Sequence, residues 1–562
     1  MKVVSITIIG LGPRGLCVLE RLLSLAAQQP ELQVQIVVVN KGMPGQGVHG
    51  QSLSDRFLLN TVAGLLTLIP GEAFQPSLLK GTFADFLPWL NQKGIAASAG
   101  AYVPRRLFGA YCHELYQRLL ERCPLNCQVE YIDDEAIDIQ QAGQKEVTCL
   151  LTQRKIVSDH VVVAVGHMLP VANSQEMIAD IYTAELSSQN IPAGSTVGIQ
   201  GFGLTAMDAI AELTRGRGGI FADGVYKPSG NEPNIILFSR SGLPSRARPV
   251  DDGCAAFAPT LHFNEQAALA LRKQRGQAAI NFMTEIYPLL ALDVAQAMLD
   301  REVPTQAAMA LMNGLLWPEM SQKNSQEYSA AVVEFVKQDL YEAHLGLSGS
   351  AVKRAVEVLM NARDAIRTVV NYGGLTPSSH SWFYNHFASA INRNAIGPQH
   401  ERQQELLMLI DAGIVSTPLG PAPELQWVPK KHCWHVQSTV FDTPVSIDLD
   451  QLLQGYTSQP TLTKNTSGLL GALVEGGRIH ARHTDWLATP GVAVNAESKA
   501  VSSYGVAQEH LFITGVMSEG STYYNWYVPT IDGKSTPFVE AQRIASAVLG
   551  YDKEAPDEGA GE

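Results

Sequence analysis

The chain has 562 residues, more than one hydrophobic core ordinarily serves, so two or three domains are expected. Its 41 lysines and arginines against 54 acidic residues give a net charge of −13, which argues against a general nucleic-acid binder. No apolar run looks long enough to cross a bilayer, and the seven cysteines are scattered without a C-x-x-C pair, so a cytoplasmic protein with reduced thiols is expected.

The first element is an apolar, β-branched run, Val3 to Ile9, read as a buried strand. Gly10-Leu11-Gly12-Pro13-Arg14-Gly15 follows, then leucines at helical spacing (Leu16, Leu19, Leu22, Leu23), then a second strand, Val34 to Val39. This strand–turn–helix–strand context is what gives a G-x-G-x-x-G pattern its meaning. Gly10 permits the tight turn, Gly12 lets backbone approach a pyrophosphate, and Gly15 lets the helix pack close to the strand. The helix N-terminus offers free N–H groups and a positive dipole to the phosphates. The acidic residue that usually ends the second strand and binds the ribose is replaced by Asn40-Lys41. An Asn can still hydrogen-bond a hydroxyl, more weakly than a carboxylate.

The G-x-G-P-R-G-L signature resembles that of a family of bacterial FAD/NAD(P)-binding flavoproteins. The resemblance continues through Gly45-Gln46-Gly47-Val48-His49, Phe57-Leu58-Leu59-Asn60-Thr61 and Tyr102 to Gly109. More distantly, the layout is similar to that of flavin-dependent N-hydroxylating monooxygenases, in which an NADPH domain interrupts the FAD domain. The resemblance implies that Gly47, Val48 and His49 lie near the flavin end of FAD and that Asn60 and Thr61 lie near the isoalloxazine. Arg105 and Arg106 are candidates for a phosphate or a substrate carboxylate, with surface salt bridging as the alternative. Val161 to Val165 with Gly166-His167 resembles the strand that returns to the FAD domain before the insertion, which adds Ala164 and Gly166 to the FAD set. His167 is read as a loop residue rather than a base.

A second turn, Gly201-Phe202-Gly203-Leu204-Thr205-Ala206, follows the strand Thr196 to Gln200 and opens a helix. This is G-x-G-x-x-A, an allowed form of the fingerprint. A Gly/Pro-rich stretch, 216 to 233, reads as an inserted loop and delays the next strand, Ile235 to Phe238. That strand ends in Ser239-Arg240, and an Arg there suits the 2′-phosphate of NADP, so NADPH is expected.

The region from about 264 to 413 reads mostly as helix, including Gln266 to Arg275 and Ala351 to Arg367. The aromatic run Trp382 to Phe387 reads as core or, alternatively, as a substrate-pocket wall, with Asn385 as a candidate substrate contact. Asn392-Arg393 resembles the family pattern without an assigned role. Arg246, Arg248, Asp251 and Asp252 form a charged loop that meets substrate, meets NADPH or is simply solvated. Leu425 to Leu449 reads as β-rich. Gln508 to Gly520 reads as a late strand ending beside FAD at Gly515, and Pro537 to Leu549 as a following helix.

The expected architecture is α/β, with two Rossmann-like dinucleotide-binding domains, a large helical insertion and a C-terminal return to the FAD domain. The expected boundaries are 1–170 (FAD, first part), 190–262 (NAD(P)H), 263–425 (helical, substrate region), 426–550 (return to the FAD domain) and 551–562 (disordered acidic tail). Two fingerprints imply a relay from NADPH to FAD. The family layout implies a monooxygenase that N-oxygenates a small amine or amino acid through a flavin hydroperoxide, with dioxygen as co-substrate. No catalytic side chain is assigned and no metal site is expected; Cys123 and Cys127 are read as ordinary thiols. A flavin dehydrogenase using another acceptor, and a non-catalytic redox sensor, stay open as alternatives.

Overall fold

The computed structural model describes residues 2–551 except 168–175, 251–258, 277, 321, 459, 463–467, 485–486 and 532–534. The expected loop residues Asp251 and Asp252 and the tail from 552 onward therefore lie outside the described residues. The chain opens with β1 (Lys2–Ile9), α1 (Pro13–Ala26) and β2 (Leu32–Asn40), followed by α2 (Arg105–Glu121), β3 (Cys127–Asp133) and β4 (His160–Val163). Next come β5 (Met177–Ile178), β6 (Thr196–Gln200), α3 (Leu204–Leu213) and β7 (Asn234–Phe238). In the helical region α4 (Ala351–Asn361) and α5 (Arg363–Val370) matter most for the site. Beyond it lie β8 (Val415–Ser416), β9 (Gln451–Gln454), β10 (Lys499–Val501), β11 (Ala507–Ile513) and α6 (Thr536–Leu549).

Two sheets carry the architecture, as the sequence led one to expect. The first has the order β10-β11-β4-β1-β2-β3, parallel except for β10. Its registers bring Ile9 level with Val39 and Val163, and Val163 level with Ile513, so Gly10, Asn40, Ala164 and Thr514 all leave the sheet at one edge. The carboxyl ends of parallel strands are where such sheets bind ligands. The central strands are rich in Val and Ile because both faces are buried: Ile6, Ile8 and Val38 pack against helices, while Ile9, Val39 and Val163 pack against Ile139, Leu150 and Ile156 of a three-stranded antiparallel sheet. The helices α1 and α6 lie together on one side, where Leu16, Leu19 and Leu23 share a core with Phe538, Ile544 and Ala545.

The second sheet has the order β8-β7-β6-β9-β5, all parallel. Three of its five strands come from outside the 190–262 window: β5 precedes it, while β8 and β9 follow the helical region. The β-rich stretch is an antiparallel sheet of Glu424–Val428, Cys433–Ser438 and Val445–Leu449. Its Val436 and Leu449 pack with Ile236, Phe238 and Leu452 of the second sheet. The expected return at 426 thus comes later: chain from 424 to 454 stays with the second sheet, and β10 and β11 rejoin the first. Apolar alternation marks a strand without marking which sheet recruits it.

Two further expectations need correction. The stretch from 216 to 233 holds a short hairpin, Ile220–Ala222 with Val225–Lys227. The segment Phe282–Leu299 is in fact long and apolar enough by composition to span a bilayer. Its Phe282, Ile286, Leu290 and Val294 are buried in the helical core, and its buried Asp293 accepts hydrogen bonds from the backbone N–H groups of Leu261, His262 and Phe263. The run Trp382 to Phe387 is core, with Phe383 and Phe387 fully buried.

Candidate functional site

The first glycine turn is built as its sequence requires. Gly10 has φ +89°, and a side chain there would meet the Ala164 carbonyl. A Cβ on Gly15 would lie 2.2 Å from the Gly10 carbonyl oxygen, so only glycine lets α1 start this close to β1. Pro13 is the first residue of α1, where its missing N–H costs nothing. Asn40 acts differently from a ribose ligand: its Oδ1 accepts the Leu11 N–H at 2.8 Å, and its Nδ2 donates to the Tyr131 hydroxyl at 3.3 Å. The residue that replaces the expected acid thus holds the turn in shape. Lys41 pairs with Glu135 at 3.2 Å on the exposed rim.

Arg14 is directed back into the protein. Its Nη1 lies 3.0 Å from Glu540 on α6, and its Nη2 donates to the Asn525 carbonyl at 3.3 Å. Glu540 also accepts from the Thr514 hydroxyl and, at 3.4 Å, from Gly515 N. One carboxylate therefore ties the first turn to the end of β11.

The second turn repeats the first. Gly201 has φ +147°, and a Cβ there would come within 2.3 Å of the Gly455 carbonyl oxygen at the end of β9. Gly201, Ser239 and Gly455 follow residues that are level in the sheet, Gln200, Phe238 and Gln454.

Both turns open on one cavity of about 1230 Å³, larger than the roughly 300–1,000 Å³ of common small-molecule sites. Its wall includes Gly10, Gly12, Pro13, Arg14, Asn40, Lys41, Gly47, Val48, His49, Asn60, Thr61, Ala164 and Gly166 from the FAD set. From the NADPH set it includes Gly201, Gly203, Leu204 and Thr205. Gly15 and Ala206 sit just behind their turns, and Gly515 is represented by its neighbour Val516. Ser239 and Arg240 are not on this wall: the Ser239 hydroxyl accepts from Gly242 N, and exposed Arg240 reaches the Ser389 hydroxyl at 3.3 Å. A cradle for a dinucleotide is visible where Gly12 and Gly47 face each other, a Cβ on Gly47 coming within 3.1 Å of Gly12 Cα. Nearby, the buried Oδ1 of Asn60 has no hydrogen-bond partner among the described residues. These features fit a group that brings polar atoms of its own.

The candidate substrate residues separate. Arg105 reaches the wall, but its guanidinium is committed: Nε donates to the Leu58 carbonyl at 3.0 Å, Nη2 lies 3.3 Å from Asp208 on α3, and the group stacks 4.7 Å over Tyr182. Arg106 pairs with Asp55 at the surface, and exposed Asn385 bonds Ser381. Two imidazoles near Arg105 are kept neutral. Burial, with Arg105 and His167 nearby, drives His49 down to about 3. Burial, with Arg105 nearby, drives His167 down to about 4. His167, read from sequence as a loop residue, lines the cavity with its ring 4.9 Å from Trp526.

Several wall residues had no assigned role in the sequence: Glu357, Arg363, Asn392, Arg393 and the run Tyr524 to Tyr527; Arg248 was a candidate for substrate, for NADPH or for solvent. Asn392-Arg393 and Arg248 stood out as motif or loop charge. Glu357 and Arg363 sit in ordinary amphipathic helix sequence, and nothing local distinguishes them.

Residues 7–168 match the family model described as FAD-NAD(P)-binding. Similarity extends well beyond this segment. The chain is 26% identical to a nitrosuccinic acid synthase of Aspergillus oryzae, over 92% of this chain and 88% of that protein. It is 27% identical to a nitrosuccinate-forming L-aspartate N-monooxygenase of Streptomyces davaonensis, over 87% and 88%. In fold it is similar to an ornithine N-hydroxylase of Kutzneria sp. 744, with TM-score 0.52, 11% identity and coverage of 98% of this chain and 100% of that one. The cofactors and reaction class expected from the sequence, FAD and NAD(P)H in an amino-acid monooxygenase, agree with these relatives.

Proposed function

We propose that this protein is an FAD-dependent, NADPH-using N-monooxygenase whose substrate is L-aspartate. The observation that carries the reading is that both glycine turns open on a single cavity, so that two dinucleotides can meet within it. The turn at Gly10 with Gly47 and Asn60 would hold FAD, and the turn at Gly201 would hold NADPH. When bound, FAD supplies the hydride acceptor and the oxygen-activating group. The chain's own part is to position the amine, exclude water and keep the cavity free of stray protons. Neutral His49 and His167 serve that last requirement. The choice of aspartate is supported by the activity of relatives similar over most of the chain. The overall reaction consumes dioxygen, NADPH and a proton, placing one oxygen atom on nitrogen and releasing the other as water.

The test is purification of the yellow protein, anaerobic reduction by NADPH, and product mass after turnover of L-aspartate in labelled dioxygen. Label on the amino nitrogen is expected, one oxygen for each round of oxygenation. Flavin reduction with electrons leaving only to another acceptor, and no label in any amine, would overturn the assignment.

A further inference from the structure

The wall of the cavity opposite the glycine turns in sequence carries charges that the fold leaves unspent. Arg248 follows the loop after β7, Glu357 lies in the middle of α4, and Arg363 opens α5. The expected single helix from 351 to 367 instead breaks at Ala362, which sets Glu357 and Arg363 on separate helices. The buried Nε of Arg248 has no hydrogen-bond partner, and among the described residues no carboxylate lies within ion-pair distance of that side chain. The Nε of Arg363 is likewise buried and without a hydrogen-bond partner. Among the described residues its one ion pair is a long 3.8 Å contact to Asp364, a carboxylate already hydrogen-bonded to Arg367.

We propose that Arg248, Glu357 and Arg363 form the substrate subsite, the two guanidinium groups taking the two carboxylates of an α-amino dicarboxylic acid and the Glu357 carboxylate its ammonium group. This rests on the N-monooxygenase reading and adds to it the residues that select the substrate. The geometry ties the cluster to the first turn. The Arg363 guanidinium lies 5.2 Å from the Tyr524 ring and 5.7 Å from the Tyr527 ring, and Arg14 lies 5.5 Å from that same Tyr527 ring. Cation–π stacking holds the plane of a guanidinium while leaving its N–H edge to bond a carboxylate. Burial raises the Glu357 carboxyl above its ordinary range while Arg248 and Arg363 oppose that rise, so it feels both guanidinium groups without pairing to either within 4 Å. The charges also select a ligand of mixed sign. Two cations and one anion complement two carboxylates and one ammonium, whereas a phosphate chain would meet Glu357 as a like charge. Another arginine of the wall, Arg393, donates to the Leu316 carbonyl.

The test uses the FAD-loaded full chain. Losing one charge-assisted contact should raise KM for L-aspartate by about 10- to 100-fold in R248Q and in R363Q, and R248K should recover part of it. Competitive inhibition by succinate, which lacks the amine, separates the roles. R248Q should weaken succinate as it weakens aspartate. E357Q should weaken aspartate while leaving succinate unchanged or tighter. If R363Q does not fold, R248Q and E357Q decide alone. The proposal is overturned if these variants raise KM for NADPH and not for aspartate, or if E357Q weakens both ligands equally. Turnover of L-ornithine with no turnover of aspartate overturns the subsite and leaves N-oxygenation standing. If no amine is oxygenated, calorimetry of aspartate binding to the same proteins decides the subsite separately: the same losses uphold it, and no binding to the unmodified protein overturns it.

Discussion

Replacing Gly201 by alanine tests the division of labour between the two turns. The backbone there has φ +147°, a region L-residues avoid, at a cost of order 1–3 kcal/mol. The added Cβ would also lie 2.3 Å from the Gly455 carbonyl oxygen. Both atoms in that contact sit on backbone, so no side chain can swing away, and relief of overpacking of this kind costs about 1–3 kcal/mol. The combined strain is about 2 kcal/mol at its lowest. The turn can escape it only by moving out of its NADPH-binding shape, so affinity should fall by at least about thirtyfold, at 1.4 kcal/mol per tenfold. The assay is anaerobic stopped-flow reduction of the bound flavin against NADPH concentration. Bound FAD should remain stoichiometric, because the first turn lies in a different sheet. An NADPH affinity within threefold of the unmodified protein, or loss of FAD instead, would refute the assignment of the turns.

The reciprocal change, Gly15→Ala, puts a Cβ 2.2 Å from the Gly10 carbonyl oxygen and should yield colourless protein; retention of full flavin absorbance would count against the first turn as the FAD site. Arg105→Ala leaves Asp208, whose side chain is only 7% exposed, without its cation, at a cost of about 3 kcal/mol; an unchanged denaturation midpoint would contradict this. Arg106→Ala and Asn385→Ala should leave KM for the amino acid unchanged, since both side chains sit off the cavity wall, and a tenfold rise would return them to the site. Stability should fall on acidification: His49 and His167 have folded pKa values below their unfolded ones, so below about pH 6.5 the unfolded chain takes up protons that the folded chain refuses, a loss near 2 kcal/mol per imidazole at about pH 5. Unfolding monitored against pH should show a shallower slope in His49→Gln, and an identical slope would remove His49 from the account.

What the sequence made legible was short in range. Each glycine turn is written within about 30 residues of its strand and helix, because the clashes that demand glycine involve near neighbours, as at Gly15 and Gly10. Asn40 was visible as a departure from the fingerprint, but its bond to Leu11 could not be read from either residue alone. The recruitment of β8 and β9 into the second sheet was hidden because each is short and lies among segments with the same apolar pattern. The arginines show the same limit from the other side. Arg105 and Arg106 are adjacent in sequence, yet one reaches Asp208 of the second domain's helix and the other a surface aspartate. Arg248 and Arg363 are 115 residues apart and share a wall.

The Glu540 clasp has a consequence for how the protein is made. Arg14 and its carboxylate partner Glu540 are 526 residues apart in sequence. Neither β11 nor α6 exists when β1 to β4 have been synthesised, so that half-sheet must wait with one edge unpaired and one side of α1 uncovered. Such a wait invites chaperone binding and favours wrong edge pairing over productive closure. Flavin capture thus belongs after β11 and α6 have been made, and a polypeptide stopped short of β11 should accumulate as insoluble material.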